Sequence, residues 1–117
     1  MLIGISCNSE EQARRLGTME RKGDLPVSYY NIGPIYPTRT KDGLVEFIGP
    51  AAIKLFSAHL SIPFTVMGGI KLDHVAELVV CGASRIAVVT ALTRAPDISA
   101  ETQRWIQTIQ EAYKDRE

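Results

Sequence analysis

Four short apolar runs recur along the chain, at 2–6 (LIGIS), 28–35 (SYYNIGPI), 63–67 (PFTVM) and 85–92 (RIAVVTAL). They are rich in β-branched and aromatic residues and show little alternation. That is the pattern of parallel strands covered on both faces, rather than of a hairpin sheet with one wet face. A helical pattern follows each run. Ser9 and Gln12 stand at capping-box spacing, where each side chain can satisfy an orphan backbone donor. Pro50 occupies a first-helical position ahead of Ile53, Phe56 and Leu60. Val75, Leu78 and Val79 share one helical face, with Gly82 placed to close that helix. Asp97 and Glu101 precede a stripe of Trp105, Ile106, Ile109 and Tyr113, and Lys114 and Arg116 stand near its end, as the helix dipole favours. The order βαβαβαβα predicts right-handed crossovers and a parallel sheet. An open doubly wound sheet and four of the eight units of a (β/α)₈ barrel both satisfy it, and periodicity does not separate them. There is no internal repeat and no low-complexity linker.

Composition narrows the class without naming a chemistry. A chain of 117 residues makes one domain. Apolar residues at 45 % and charged residues at 22 % are ordinary for a globular protein and argue against disorder. Lys and Arg balance Asp and Glu, so formal net charge is zero. Nothing therefore points to nucleic acid or a membrane surface as a partner. Cys7 and Cys81 lack CxxC spacing and a secretory leader, and are read as reduced, small hydrophobes. No apolar run reaches the roughly 20 residues needed to cross a bilayer. The expectation is a cytoplasmic protein.

In either parallel architecture ligands bind at the C-terminal ends of the strands, where backbone and side chains are released from the ladder. Those four ends carry Ser6-Cys7-Asn8, Pro37-Thr38-Arg39-Thr40-Lys41, Gly68-Gly69 and Thr90. Two adjacent glycines let the backbone pass close to a ligand and turn consecutive N–H groups toward an anion. A tight strand-to-helix turn without a ligand satisfies the same pattern. Thr90, at the expected end of the fourth strand, adds a hydroxyl, and the pair matches the phosphate site that barrels build after their last two strands. Thr38 and Thr40 are compact donors, and Lys41 is a hydrated point charge suited to phosphate. Arg39 has the fork for a bidentate phosphate contact, but its alternating position favours solvent. Pro34 and Pro37 stiffen the loop that presents these groups. His59 and His74 fall on predicted helices and are read as surface residues, Trp105 as a core anchor, and Met67 as packing inside. The strand ends bear no Asp or Glu, so neither a carboxylate pair nor a metal cluster is expected there.

GPIYPTRTK, VMGGI and RIAVVTAL together resemble the second half of thiamine-phosphate synthase, and ISCNSEEQA resembles that family's fifth strand and the helix after it. The resemblance runs from Leu2 to about the last helix. It implies an α/β fold, the parallel (βα)₄ half of a (β/α)₈ barrel. It also implies a transferase that joins hydroxymethylpyrimidine diphosphate to a thiazole phosphate with Mg²⁺. Carried onto this chain, Ser6 and Lys41 would contact the diphosphate. Thr38, Arg39 and Thr40 would lie along the thiazole phosphate. Gly69, Val89 and Thr90 would grip its phosphate. The family's Mg²⁺ aspartates belong to its first four strands and have no counterpart here, so the alternative is a phosphate-binding half-barrel that cannot perform transfer. A related tautomerase branch has a histidine where this chain has Asn8 and lacks the PTxTK loop, which makes that activity the weaker reading.

A half-barrel of four parallel strands leaves two open edges and an uncovered inner face. The expectation is therefore a homo-oligomer, or a pairing with a separate N-terminal half.

Overall fold

The computed structural model describes residues 2–40, 43–45 and 47–116, with backbone alone for 38–40, 43–45 and 116. Three strands form a parallel sheet in the order in which they occur: β1 (Gly4–Cys7), β2 (Tyr29–Ile32) and, later in the chain, β5 (Phe64–Val66). Register places Cys7, Ile32 and Val66 side by side, and Ser6, Asn31 and Thr65 side by side one residue earlier. Because side chains alternate across a sheet, these two ranks face opposite ways. The first is fully buried; Ser6 is exposed, and Asn31 and Thr65 are half-buried.

The helices supply the cover for the buried rank. Helix α1 (Glu10–Arg21) begins at Ser9, whose Oγ accepts from the Gln12 N–H at 3.2 Å. The Gln12 amide oxygen accepts from the Asn8 N–H at 2.7 Å, so the reciprocal cap closes one residue earlier than the box spacing implies. Helix α2 (Ala52–Ser57) starts two residues beyond Pro50, which lies in the preceding turn, and buries Ile53 and Phe56. A 3₁₀ turn (Leu72–His74) leads into α3 (Val75–Val80), which buries Val75, Leu78 and Val79. It ends at Cys81 and Gly82: the Gly82 N–H donates to Val79 O and the Ala83 N–H to Leu78 O, the paired bonds of a Schellman cap. Helix α5 (Ile98–Arg116) packs on α3, buries Trp105, and bonds back through the Tyr113 hydroxyl, which donates to Ala83 O at 3.0 Å. Its inward face runs through Trp105, Ile109, Ala112 and Tyr113. Ile106, one step round the helix from Trp105, is exposed, contrary to the stripe expected from sequence.

The core lies on one side of the sheet only, from Cys7, Tyr30, Ile32 and Val66 outward to the helices. A doubly wound sheet would bury both faces. The one-sided core is what a sector of a (β/α)₈ barrel presents, with its helices outside and its inner face open. Leu2, Ile3 and Ile5, along the free edge of β1, are exposed.

Two expectations fail locally. The run 85–92 is not a full strand. Its sheet pairing is a single parallel bridge, Val66 to Ile86, with Val66 N–H donating to Arg85 O and Ala87 N–H to Val66 O. Residues Thr90–Thr93 instead form a short helix, α4. Beyond Val66 the chain leaving β5 turns at Gly68, whose φ is 103°. The segment 38–45 also departs from the loop expected. Thr38–Thr40 (β3) pairs antiparallel with Gly43–Val45 (β4) as a two-stranded ribbon outside the sheet.

Candidate functional site

The C-terminal ends of β2 and β5 are bound together through backbone. After the cis Gly33–Pro34 peptide, the Ile35 N–H donates to Met67 O and the Tyr36 N–H to Gly68 O, both at 3.0 Å. Gly68 and Gly69 have φ of 103° and 65°, where side chains with a Cβ are disfavoured. Space forbids them as well: a Cβ at Gly68 would stand 2.5 Å from Pro34 Cα, and one at Gly69 would stand 2.6 Å from Pro37 O. The pair of glycines is therefore a close-approach device that seats the 34–37 segment against the start of the next unit.

Beyond that seam opens a cavity of ≈ 530 Å³, with Gly69 on one wall and Val89 and Thr90 on another. The structure thus brings together three of the residues singled out from sequence. Among the described residues, the N–H groups of Gly69, Val89 and Thr90 have no protein acceptor. Lys71 and Arg94 line the same cavity and are exposed, without an ion-pair partner among the described residues. Sequence reading missed both. Lys71 stands two residues after Gly69 in plain view. Arg94 follows Thr90 by four residues, the spacing of one helical turn, and assigning 85–92 to a strand hid that relation. Free amides and two cations around one space suit a phosphate.

Ser6 lies elsewhere, in an adjoining cavity of ≈ 190 Å³ with Asn8 and Asn31. Met67 and Gly68 line both cavities, so the two are contiguous. Met67 is exposed rather than packed inside, because position 67 shares the inner face with Asn31 and Thr65. Thr38, Arg39 and Thr40 are held by backbone pairing with Val45, Leu44 and Gly43; their side chains, and Lys41 altogether, lie outside the described residues.

Lys71, which lines the larger cavity, is held in place next to an aromatic pair. The rings of Tyr36 and His74 stack with centroids 3.7 Å apart, and the Tyr36 hydroxyl donates to Glu77 Oε2 at 3.2 Å. Burial, with the Glu77 carboxylate beside it, pushes the Tyr36 phenol up to about 12. His74 Nδ1 accepts from the Lys71 N–H at 3.0 Å, which fixes the backbone that presents Lys71. The two histidines are thus half-buried, His74 in the 3₁₀ turn and His59 just after α2, where its Nε2 lies 3.5 Å from Glu10 Oε1. Both cysteines are free, and burial raises the pKa of the Cys7 thiol, which suits a packing role rather than a nucleophile. Among the described residues no Asp or Glu lines either cavity, and no three His, Cys, Asp or Glu side chains gather as a metal cradle. Among them, too, no helix is long and apolar enough to cross a membrane.

The family model and the curated relatives point to one family. The model of the family described as "Thiamine monophosphate synthase" matches residues 1–92. A thiamine-phosphate synthase of Shouchella clausii is 34 % identical over 111 residues, which cover 95 % of this chain and 50 % of that one. A thiamine-phosphate synthase of Pelotomaculum thermopropionicum is 37 % identical over 103 residues, 88 % of this chain and 44 % of its own length. Among solved structures, a thiamine phosphate pyrophosphorylase from Pyrococcus furiosus superposes with a TM-score of 0.77 at 28 % identity, over 96 % of this chain and 50 % of that one. The chain spans about half the length of the curated relatives it matches.

Proposed function

Because this chain belongs to the thiamine monophosphate synthase family, we propose that it supplies the thiazole-phosphate half of a thiamine-phosphate synthase site. The observation that carries the reading is the larger cavity: Gly69, Val89 and Thr90, whose amides have no acceptor among the described residues, line it together with Lys71 and Arg94. A phosphate there accepts from the amides and the Thr90 hydroxyl, and the two cations offset its charge. Thr38, Arg39 and Thr40 lie along the same substrate, on the ribbon that follows Pro37. Ser6 and Lys41 contact the diphosphate of the second substrate. In the transfer, the bond from the pyrimidine methylene carbon to diphosphate breaks, and a bond from that carbon to the thiazole nitrogen forms. The contribution of this chain is to hold the nucleophile by its phosphate and keep the ring oriented.

The described residues do not fit Mg²⁺: neither cavity is lined by a carboxylate. A second copy of this chain would cover the inner face and the edge at β1 but brings the same strand ends without carboxylates, so we assign the metal's ligands to a separate N-terminal half. The second reading, a phosphate-binding half-barrel without transferase activity, rests on the same absence of carboxylates.

Calorimetric titration of the purified chain separates these readings. Thiazole phosphate is expected to bind without Mg²⁺. Thr90→Val is expected to weaken it by the ~1.5–3 kcal/mol of a hydrogen bond to a charged group. Unaltered binding by Thr90→Val together with Lys71→Ala would sink the site assignment. Mg²⁺-dependent binding of the pyrimidine diphosphate, or turnover by the chain alone, would support the transferase; phosphate binding without either would support the module.

A further inference from the structure

One wall of the larger cavity is tied at both ends to the same tyrosine, and the tie at its far end is a histidine that does not itself line the cavity. At the near end the Tyr36 N–H donates to Gly68 O at 3.0 Å. At the far end the Tyr36 ring lies on the His74 imidazole, with centroids 3.7 Å apart and planes 18° apart. His74 in turn grips Lys71 twice. Its Nδ1 accepts from the Lys71 N–H at 3.0 Å, and its own N–H donates to Lys71 O at 2.9 Å. Between the two ties run Gly69, Ile70 and Lys71, and all three line the cavity.

The two bonds at Lys71 differ in what they ask of position 74. The bond from the His74 N–H is backbone, and every residue except proline supplies it. The bond to Nδ1 belongs to the side chain: it needs a lone pair, which a neutral imidazole has and a hydrocarbon ring lacks. The Tyr36 stack fixes the imidazole plane and with it the direction of that lone pair. Tyr36 is held in turn by its hydroxyl, which donates to Glu77 Oε2 at 3.2 Å. Lys71 is exposed and its backbone is extended, with φ of −114° and ψ of 163°, so burial does not hold it. Without the Nδ1 bond the wall samples other conformations before an anion arrives, and ordering it then weakens binding.

We propose that His74 is a positioning residue of the phosphate site: its Nδ1, aimed by the Tyr36 ring, pre-orders the Gly69–Lys71 wall that receives the anion. The inference rests on the phosphate reading above and deepens it. His74 acts through Lys71 and not on the ligand.

Two substitutions separate the acceptor from the ring. His74→Phe keeps an aromatic face for Tyr36 and removes the acceptor. His74→Asn removes the stack and keeps an acceptor of the kind that caps helix N-termini. The full chain is titrated calorimetrically with thiazole phosphate, with inorganic phosphate as competitor. His74→Phe is expected to bind on the order of tenfold more weakly, the worth of one ordered residue, and His74→Asn to recover most of that loss. Exchange of the Lys71 N–H with D₂O, followed by NMR, is slow in the parent and in His74→Asn and fast in His74→Phe. The melting temperature of His74→Phe holds. If that variant does not fold, His74→Ala, read against His74→Asn, makes the same comparison. A parent that binds neither thiazole phosphate nor inorganic phosphate overturns the phosphate reading and this inference with it. A parent that binds, beside a His74→Phe that binds equally well, overturns the positioning role and leaves the site standing. Three further results each overturn the role of Nδ1: a loss in His74→Asn equal to that in His74→Phe, a Lys71 N–H that exchanges equally fast in all three chains, and a fall in melting temperature that matches the loss of affinity.

Discussion

On one face of the parallel sheet Cys7, Tyr30, Ile32 and Val66 are sealed beneath the helices. On the other, Ser6, Asn31, Thr65 and Met67 stand toward open space and two contiguous cavities. The strands are the same; only the parity of the position differs. The sealed face carries the stability and tolerates little change, because removed volume there leaves a void. The open face contributes little to holding the fold, and so is free to carry polar groups whose hydrogen bonds are left for a ligand.

The largest effect that sharpens this contrast belongs to the sealed face. Ile32→Ala removes a fully buried side chain beside Cys7 and Val66, and should cost about 2–5 kcal/mol, read as a shift of the urea midpoint. A cost below about 0.5 kcal/mol, typical of a surface site, would mean that the face is not sealed. Next is the seam between the faces. Gly68→Ala puts a Cβ at positive φ against Pro34 and should cost on the order of 1–3 kcal/mol, with loss of phosphate binding as the cavity wall shifts.

Smaller effects probe the cavity itself. Lys71→Ala and Arg94→Ala should each weaken phosphate about tenfold, the equivalent of about 1.4 kcal/mol, while the melting temperature holds, since both side chains are exposed. A fall in melting temperature that matched the loss of binding would give them a structural role instead. A pH dependence follows from Tyr36, whose phenol is raised from 10.0 to about 12 in the folded chain. Above pH 10 the unfolded chain releases this proton and the folded chain keeps it. The contribution is therefore complete below pH 10 and lost as pH rises toward 12. Tyr36→Phe should flatten that part of the stability profile measured by denaturant titration; an unchanged profile would remove Tyr36 as its source. The smallest effect is on the open face, where Ser6→Ala should alter stability by less than about 0.5 kcal/mol.

Much of this was legible along the chain. The continuous apolar runs named four parallel strands, of which three form, and the stripe of Val75, Leu78 and Val79 named a buried helix face. Gly69 and Thr90 were read together from the sequence, and Val89 was added by the family resemblance; all three line one cavity, while phosphate as its occupant is our proposal. The run 85–92 was misread because an apolar stretch does not by itself specify a strand: Val89 and Thr90 are exposed, and Thr90–Thr93 is a short helix with no buried residue. That misreading concealed Arg94. Lys71 was passed over because a lysine in a turn has no signature apart from what it faces.

Local chemistry travels with the sequence: the Ser9 cap, the spacing of apolar faces, and the two glycines whose positive φ few other residues tolerate. These set the βα order and the strand ends before any long-range contact forms. What they do not encode locally is register. Only the alignment of β1, β2 and β5 put Ser6, Asn31 and Thr65 in one rank on the open face. Side-chain direction reverses with each residue of a strand. A site assembled across three strands is therefore decided by pairing between segments far apart in the chain.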